Sequence, residues 1–140
     1  MKNYWDTSAA INALVSTQVW ARLNTGEHFA RLHMFSEFFA TITGRGIPAK
    51  DQAGNPIRLA LSPQDAALWL RGFRAKVKLI DLNDTETLDA LDKAQVRNVQ
   101  GGRVYDYFHA LAAEKAQADA LLTRNTNDFS GLTKLAIQWP

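Results

Sequence analysis

The sequence predicts an α/β protein, in which a mostly parallel sheet of about four or five strands lies between two layers of helices. Short apolar segments suited to buried strands alternate along the chain with longer segments of helical periodicity. Strands that alternate with helices are typical of a parallel sheet with both faces covered. With 140 residues, 46% of them hydrophobic, the chain is long enough for one core, and we assign residues 1–140 to a single domain.

The boundaries of the predicted elements come from caps, turns and apolar periodicity. Ser62 followed by Pro63 is a strong helix start, and Asp84 or Thr85 would cap a later helix in which Leu88 and Leu91 face the core. The region 44–61, with its glycines and prolines, is interpreted as a loop with a short extended piece at 57–61. We predict strands at 2–6, 28–33, 77–82, 120–122 and 135–139, and helices at 9–15, 17–23, 34–43, 63–75, 85–96 and after Gly102, with Val104, Phe108, Leu111 and Ala112 facing inward.

Composition excludes several classes of protein. The chain has no cysteine, which rules out disulfides, thiolate metal sites and cysteine nucleophiles and fits a reducing compartment. No apolar run is long enough to span a bilayer, and the first residues lack the apolar segment of a signal peptide. We therefore expect a cytoplasmic protein with no membrane partner.

Charge is distributed unevenly, although the net charge is only +2. Seven basic residues fall within 45–78, and five acids without a base follow within 79–92. Such an arrangement would suit a polyanion held near one surface, but two solvated helix faces explain it equally well. On charge alone we favour the solvated faces.

Several acidic and amide side chains are predicted to meet at one edge of the sheet. Ligands bind at the carboxyl ends of parallel strands, and helices that run antiparallel to those strands begin at the same edge. Asp6 ends the first strand, and Glu37 and Asp106 lie early in their helices. Asn125 and Asp128 follow the strand at 120–122, in a polar loop that begins at Thr123.

Clustered carboxylates repel one another and do not all remain ionised without a counter-charge. A hard divalent cation, Mg²⁺ or else Mn²⁺, is the simplest remedy because it prefers oxygen ligands. Such a cation can bind phosphate oxygens and activate a water molecule for in-line attack. The acidic edge therefore predicts hydrolysis of a phosphodiester.

Four short motifs, taken together in their order and spacing, resemble a known family. They are YWDTS at 4–8, SEFFAT at 36–41, GRVYD at 102–106 and LTRNTNDF at 122–129. The chain is similar over nearly its whole length to the PIN domain nucleases, and specifically to the VapC-type toxins of bacterial toxin–antitoxin pairs. The resemblance implies that metal-coordinating acids stand at Asp6, Glu37 and Asp106, that Asp128 and Asn125 compete for a fourth position, and that Thr123 and Thr7 support the cluster.

The resemblance also implies an activity and partners. The expected function is that of a Mg²⁺-dependent endoribonuclease, inhibited by a cognate VapB-like antitoxin that blocks the acidic cleft, and active as a homodimer. An alternative is a PIN-like partner of an antitoxin in operator DNA binding, with weak or no nuclease activity. A metal-free hydrolase with two carboxylates, such as a glycosidase, is a third and weaker alternative.

Two histidines lie one helical turn from predicted site acids. His33 precedes Glu37, and His109 follows Asp106. Either could serve as a proton shuttle or outer-shell partner, but we interpret both as partly buried structural residues.

Overall fold

The computed structural model describes all 140 residues and confirms the predicted three-layer αβα architecture. Its central sheet has five strands, all parallel, in the order β5-β2-β1-β6-β7, and a separate antiparallel pair joins β3 to β4. The elements are β1 Lys2–Trp5, α1 Thr7–Val15, α2 Thr17–Ala21, β2 Glu27–Ala30, α3 Leu32–Thr43, β3 Ile47–Lys50, β4 Pro56–Leu59, α4 Pro63–Arg74, β5 Lys78–Leu79, α5 Asp84–Asp92, α6 Arg103–Lys115, β6 Ala120–Leu122 and β7 Ala136–Gln138.

Two hydrophobic clusters cover the two faces of the sheet. Helices α1 to α4 pack on one face, and α5, α6 and the segment before β7 pack on the other. Neighbouring side chains of a strand point to opposite faces. Accordingly Trp5 belongs to the first cluster and Tyr4 to the second, and both are completely buried. The central strand β1 is thus fixed from both sides.

The aromatic packing on the first face anchors α4 against the sheet. Trp69 stacks on Phe38 with ring centroids 4.6 Å apart and on Phe73 at 5.3 Å. Phe73 in turn meets Trp5 edge to face at 6.0 Å. The predicted start of α4 is confirmed, because the Ser62 hydroxyl accepts a hydrogen bond from the Asp65 amide.

The prediction for α5 was wrong in its cap, its length and its buried face. Asn83 caps the helix and forms a reciprocal capping box with Glu86, and the helix ends at Asp92. Leu88 and Leu91 are 62% and 45% exposed, and Ala90 is the buried residue. The reason is that α5 meets the second cluster through Ala90 and is tied to α6 by the Glu86–Lys115 ion pair, so both leucines lie on the side turned away from the core.

The region 44–61 is a β-hairpin, which corrects the predicted loop. Its strands pair from Ile47–Leu59 to Lys50–Pro56. Asp51 closes the turn, because its carbonyl and carboxylate oxygens accept hydrogen bonds from the amides of Gly54 and Asn55. Proline within the segment argues against a sheet strand, but it is tolerated in a two-stranded ribbon with open edges.

The predicted strand at 77–82 shortens to β5. Beyond Leu79 the chain leaves the sheet, and the Asp81 carboxylate accepts a hydrogen bond from Arg31 Nε at 2.9 Å.

No helix of this chain has the length and apolar character that a membrane span requires.

The all-parallel sheet determines where the acidic side chains lie. β1, β2 and β6 are adjacent, so their carboxyl ends share one edge. The Asp6 amide donates to the Leu122 carbonyl at 3.1 Å, which holds the ends of β1 and β6 side by side. Helices α1 and α3 follow β1 and β2 directly and therefore begin at this edge.

Candidate functional site

Asp6 is the most constrained side chain at this edge. It is the N-cap of α1, and its Oδ1 accepts hydrogen bonds from the Ala9 amide at 2.9 Å and the Ser8 hydroxyl at 2.7 Å. Its Oδ2 accepts a 2.5 Å hydrogen bond from the Thr123 hydroxyl. Burial raises the pKa of Asp6, although these hydrogen bonds oppose the shift.

The loop after β6 is fastened to the same carboxylate. The Thr123 hydroxyl accepts a hydrogen bond from the Asn125 amide at 3.0 Å while it donates to Asp6. The Ser8 hydroxyl likewise accepts from the Arg124 amide at 2.8 Å. Thr123 therefore lies where the sequence predicted it. Ser8 was not among the site residues predicted from the sequence. Its position two residues after Asp6, the N-cap of α1, could have indicated this contact.

Asp106 and Asp128 bring further negative charge to the edge. Asp106 lies in the first turn of α6. Burial is the largest cause that raises its pKa, the charge of Asp128 is the next, and the charge of Asp6 adds a smaller contribution. Arg103 does not neutralise the pair directly, because its guanidinium donates to the backbone carbonyls of Asp128 and Ser130. The charges of Asp128 and Asp6 therefore both act on Asp106, and those of His109 and Arg103 oppose them in part.

Glu37, the fourth predicted acid, is engaged by histidines. Its Oε1 lies 3.1 Å from His109 Nε2 and 3.5 Å from His33 Nε2. Burial works to raise the pKa of Glu37, but the hydrogen bond from His109 and the charges of both histidines outweigh it, so that the pKa is lowered. The Thr7 hydroxyl is near Glu37, yet its oxygen is buried without a hydrogen-bond partner.

His109 has a more specific environment than the sequence interpretation gave it. Its side chain is only 4% exposed, and its Nδ1 lies 2.7 Å from the Tyr4 hydroxyl. His33 is more exposed and stacks on Tyr105 with centroids 5.7 Å apart. Tyr4 was also missed as a site residue, although residues two apart on a strand share a face, which relates Tyr4 to Asp6.

The donor chemistry of the edge fits Mg²⁺ or Mn²⁺, but the side chains do not form a closed coordination sphere. No group of three or more His, Asp or Glu side chains is arranged to hold a metal ion. Asp6 is occupied by protein donors and Glu37 by histidines. The side chains of the edge nevertheless supply carboxylate oxygens, which are the ligands a hard divalent cation prefers.

Two solved structures share the fold over their whole length. VapBC-1 from nontypeable Haemophilus influenzae contains a chain that matches with a TM-score of 0.65 and 14% identity, over 99% of this chain and 98% of that chain. VapBC2 from Rickettsia felis, bound to a DNA fragment from their promoter, contains one that matches with a TM-score of 0.68 and 12% identity, over 100% and 99%. The likeness establishes the fold.

No protein-family model matches the sequence. A comparison with curated proteins likewise gives no match.

We expect Asp106→Asn to stabilise the protein in EDTA at pH 7. A carboxyl whose pKa is raised by folding stabilises the folded state only below its unfolded pKa, and this contribution is lost as the pH rises through the folded value. At pH 7 the ionised Asp106 is therefore destabilising, and the neutral amide removes the repulsion. Thermal unfolding should show a higher midpoint for the variant, with a gain that disappears in acid, where Asp106 is protonated in both states.

Asp65→Asn is the matched control, because Asp65 is an exposed acid in the first turn of α4. Its replacement should leave the midpoint unchanged or lower it slightly, since an acid near a helix N-terminus is favourable. A lower midpoint for Asp106→Asn than for the wild type at pH 7 would contradict the repulsion inferred at the edge.

Proposed function

We propose that this protein is a Mg²⁺-dependent endoribonuclease and the toxin of a type II toxin–antitoxin pair. The observation that carries the proposal is that the parallel sheet brings acids to one carboxyl edge, where burial and then the charges of Asp128 and Asp6 raise the pKa of Asp106. Their carboxylates have no basic side chain as a direct partner, whereas those of Asp81 and Glu86 do. The fold shared with chains of two VapBC structures and the four VapC-like motifs extend the proposal to the toxin class.

In this proposal Asp6, Asp106 and Asp128 hold the cation, and Glu37 lies at the margin of the site. Mg²⁺ bound there would supply a Lewis acid for a phosphate oxygen and lower the pKa of a bound water. Thr123 and Ser8 orient the Asp6 carboxylate through the hydrogen bonds described above. The buried Thr7 hydroxyl is available as a further donor beside Glu37.

RNA as substrate and an antitoxin as partner rest on the resemblance to VapC-type toxins. The Rickettsia felis VapBC2 structure includes promoter DNA, which keeps operator binding without nuclease activity as the alternative function. The two functions differ in one measurable respect, since only the nuclease requires a divalent cation for turnover. A small neighbouring reading frame whose product relieves toxicity on co-expression would identify the antitoxin.

A homodimer is proposed through the edge of the sheet at β5. On one face, α3, α4 and β5 enclose an open groove of about 660 Å³ with Leu32, Phe39 and Leu79 exposed and with Arg71 and Arg74 in its lining. On the opposite face, α5 exposes two leucines next to acids. A two-fold axis parallel to the strands reverses the faces between copies, so the acidic, apolar α5 of one copy meets the basic, apolar groove of the other.

Charge reversal tests this dimer. Arg71→Glu with Arg74→Glu makes the groove acidic, and Asp89→Arg with Asp92→Arg makes α5 basic. Each double variant alone should be monomeric by sedimentation velocity, because like charges face each other, whereas a mixture of the two should form a heterodimer. A monomeric wild type, or double variants that each remain dimeric, would contradict the arrangement.

The nuclease is tested with purified protein on single-stranded RNA and DNA of the same sequence. We expect cleavage of RNA with Mg²⁺ and none in EDTA. Asp6→Asn and Asp106→Asn should each lower the rate about 100-fold or more, because each removes a carboxylate from the proposed cation site while keeping its shape. Asp65→Asn should cleave at the wild-type rate.

The same assay separates the rivals for the fourth ligand. If Asp128 is the ligand, Asp128→Asn should lose activity at low Mg²⁺ and regain part of it at high Mg²⁺, whereas Asn125→Ala should show a smaller loss. Cleavage that persists undiminished in EDTA, or wild-type rates from both Asp6→Asn and Asp106→Asn, would refute the metal-dependent nuclease.

A further inference from the structure

A buried hydrogen-bonded chain runs from the central strand to Glu37. It begins at the Tyr4 hydroxyl, passes through both ring nitrogens of His109, and ends at Glu37 Oε1. Tyr4 comes from β1, His109 from α6 and Glu37 from α3, so the chain links three elements that are far apart in sequence. Tyr4 is completely buried and the His109 side chain nearly so, whereas Glu37 is about one-third exposed.

The donors and acceptors of this chain fit one protonation pattern of His109. The buried Tyr4 hydroxyl carries one proton, and His109 Nδ1 is its hydrogen-bond partner. If Tyr4 donates to Nδ1, then Nε2 carries the imidazole proton and donates it to the Glu37 carboxylate. The opposite tautomer would direct the Nε2 lone pair at the carboxylate, and a doubly protonated ring would leave the Tyr4 proton buried without an acceptor.

The chain also distinguishes the two oxygens of Glu37. His109 and His33 both approach Oε1, at 3.1 and 3.5 Å. Oε2 is therefore the carboxylate oxygen that neither histidine engages. A ring that is fixed at both nitrogens holds the carboxylate in one orientation, in the way that outer-shell partners orient metal ligands.

We propose that Tyr4 and His109 act as a positioning pair, which fixes the Glu37 carboxylate through Oε1 and leaves Oε2 for a divalent cation or its bound water. The role of Oε2 rests on the proposed metal-dependent function. The hydrogen bonds among Tyr4, His109 and Glu37 do not depend on a metal. Tyr4 favours the Nε2–H tautomer from one side of the ring and Glu37 from the other, and His109 is the residue that transmits the constraint from Tyr4 to Glu37.

Tyr4→Phe tests the pair because it deletes one hydroxyl and keeps the ring in the core. Long-range ¹H–¹⁵N spectra of the imidazoles should show the Nε2–H tautomer of His109 in the wild type and a lower proportion of it in the variant, because only Glu37 then favours it. Mn²⁺ affinity, measured by calorimetry, should weaken about tenfold, the lower end of what loss of an outer-shell partner costs. Tyr107→Phe is the matched control, because Tyr107 is also a buried tyrosine. It lies on α6, the helix of His109, and stacks on Phe108.

His109→Gln and His109→Leu provide a second comparison if Tyr4→Phe affects folding. The glutamine amide can still donate to Glu37, whereas leucine cannot. Mn²⁺ affinity should therefore be retained better by His109→Gln than by His109→Leu. Equal losses in both variants would overturn the role assigned to His109.

The two readouts separate failure of the pair from failure of the proposed function. A wild-type His109 with its proton on Nδ1, or a tautomer unchanged by Tyr4→Phe, overturns the positioning pair whatever the metal does. Unchanged Mn²⁺ affinity in Tyr4→Phe also overturns it. A wild type that shows the Nε2–H tautomer but binds no Mn²⁺ overturns the metal-dependent function and, with it, the role of Oε2.

Discussion

The hydrogen bonds to the Asp6 carboxylate are the interaction on which the site depends. Asp6 ends the central strand, caps α1, and receives the Thr123 hydroxyl from the end of β6. One side chain therefore joins a strand, a helix and the polar loop that contains Asn125 and Asp128. Because Asp6 is buried, these donors also compensate for the cost of removing its charge from water.

The other acids at this edge have no comparable set of donors. Folding buries Asp106 near Asp128, and burial, followed by the repulsive charge of Asp128, raises the pKa of Asp106. Repulsion of this kind opposes folding at neutral pH, and it is a recurrent feature of sites that need perturbed groups for binding or chemistry. Glu37 differs, because the hydrogen bond from His109 and the proximity of His33 lower its pKa despite burial. The edge thus combines one carboxylate fixed by two hydroxyls and one amide, one held by histidines, and a pair with no basic side chain as a direct partner.

The sequence predicted the parallel sheet and the edge that carries the acids, because strand–helix alternation and caps are local signals. Sequence-based prediction failed where contacts between distant parts of the chain determine which side chains are buried. Leu88 and Leu91 follow helical periodicity, but they are exposed because α5 contacts the core through Ala90. The inward face of α6, by contrast, is confirmed, because Val104, Phe108 and Leu111 pack against the cluster that contains the buried Ala112. The Tyr4–His109 contact joins residues 105 positions apart, and no local pattern encodes it.

The central claim is that the acidic edge holds a divalent cation, and diffraction from crystals soaked in Mn²⁺ tests it most directly. Anomalous difference maps locate manganese without reference to activity. We predict one strong peak among the carboxylates of Asp6, Asp106 and Asp128, with Glu37 Oε2 turned towards it. A protein that crystallises with this edge accessible but shows no peak there, or that binds Mn²⁺ only at the acidic surface of α5, would contradict the claim.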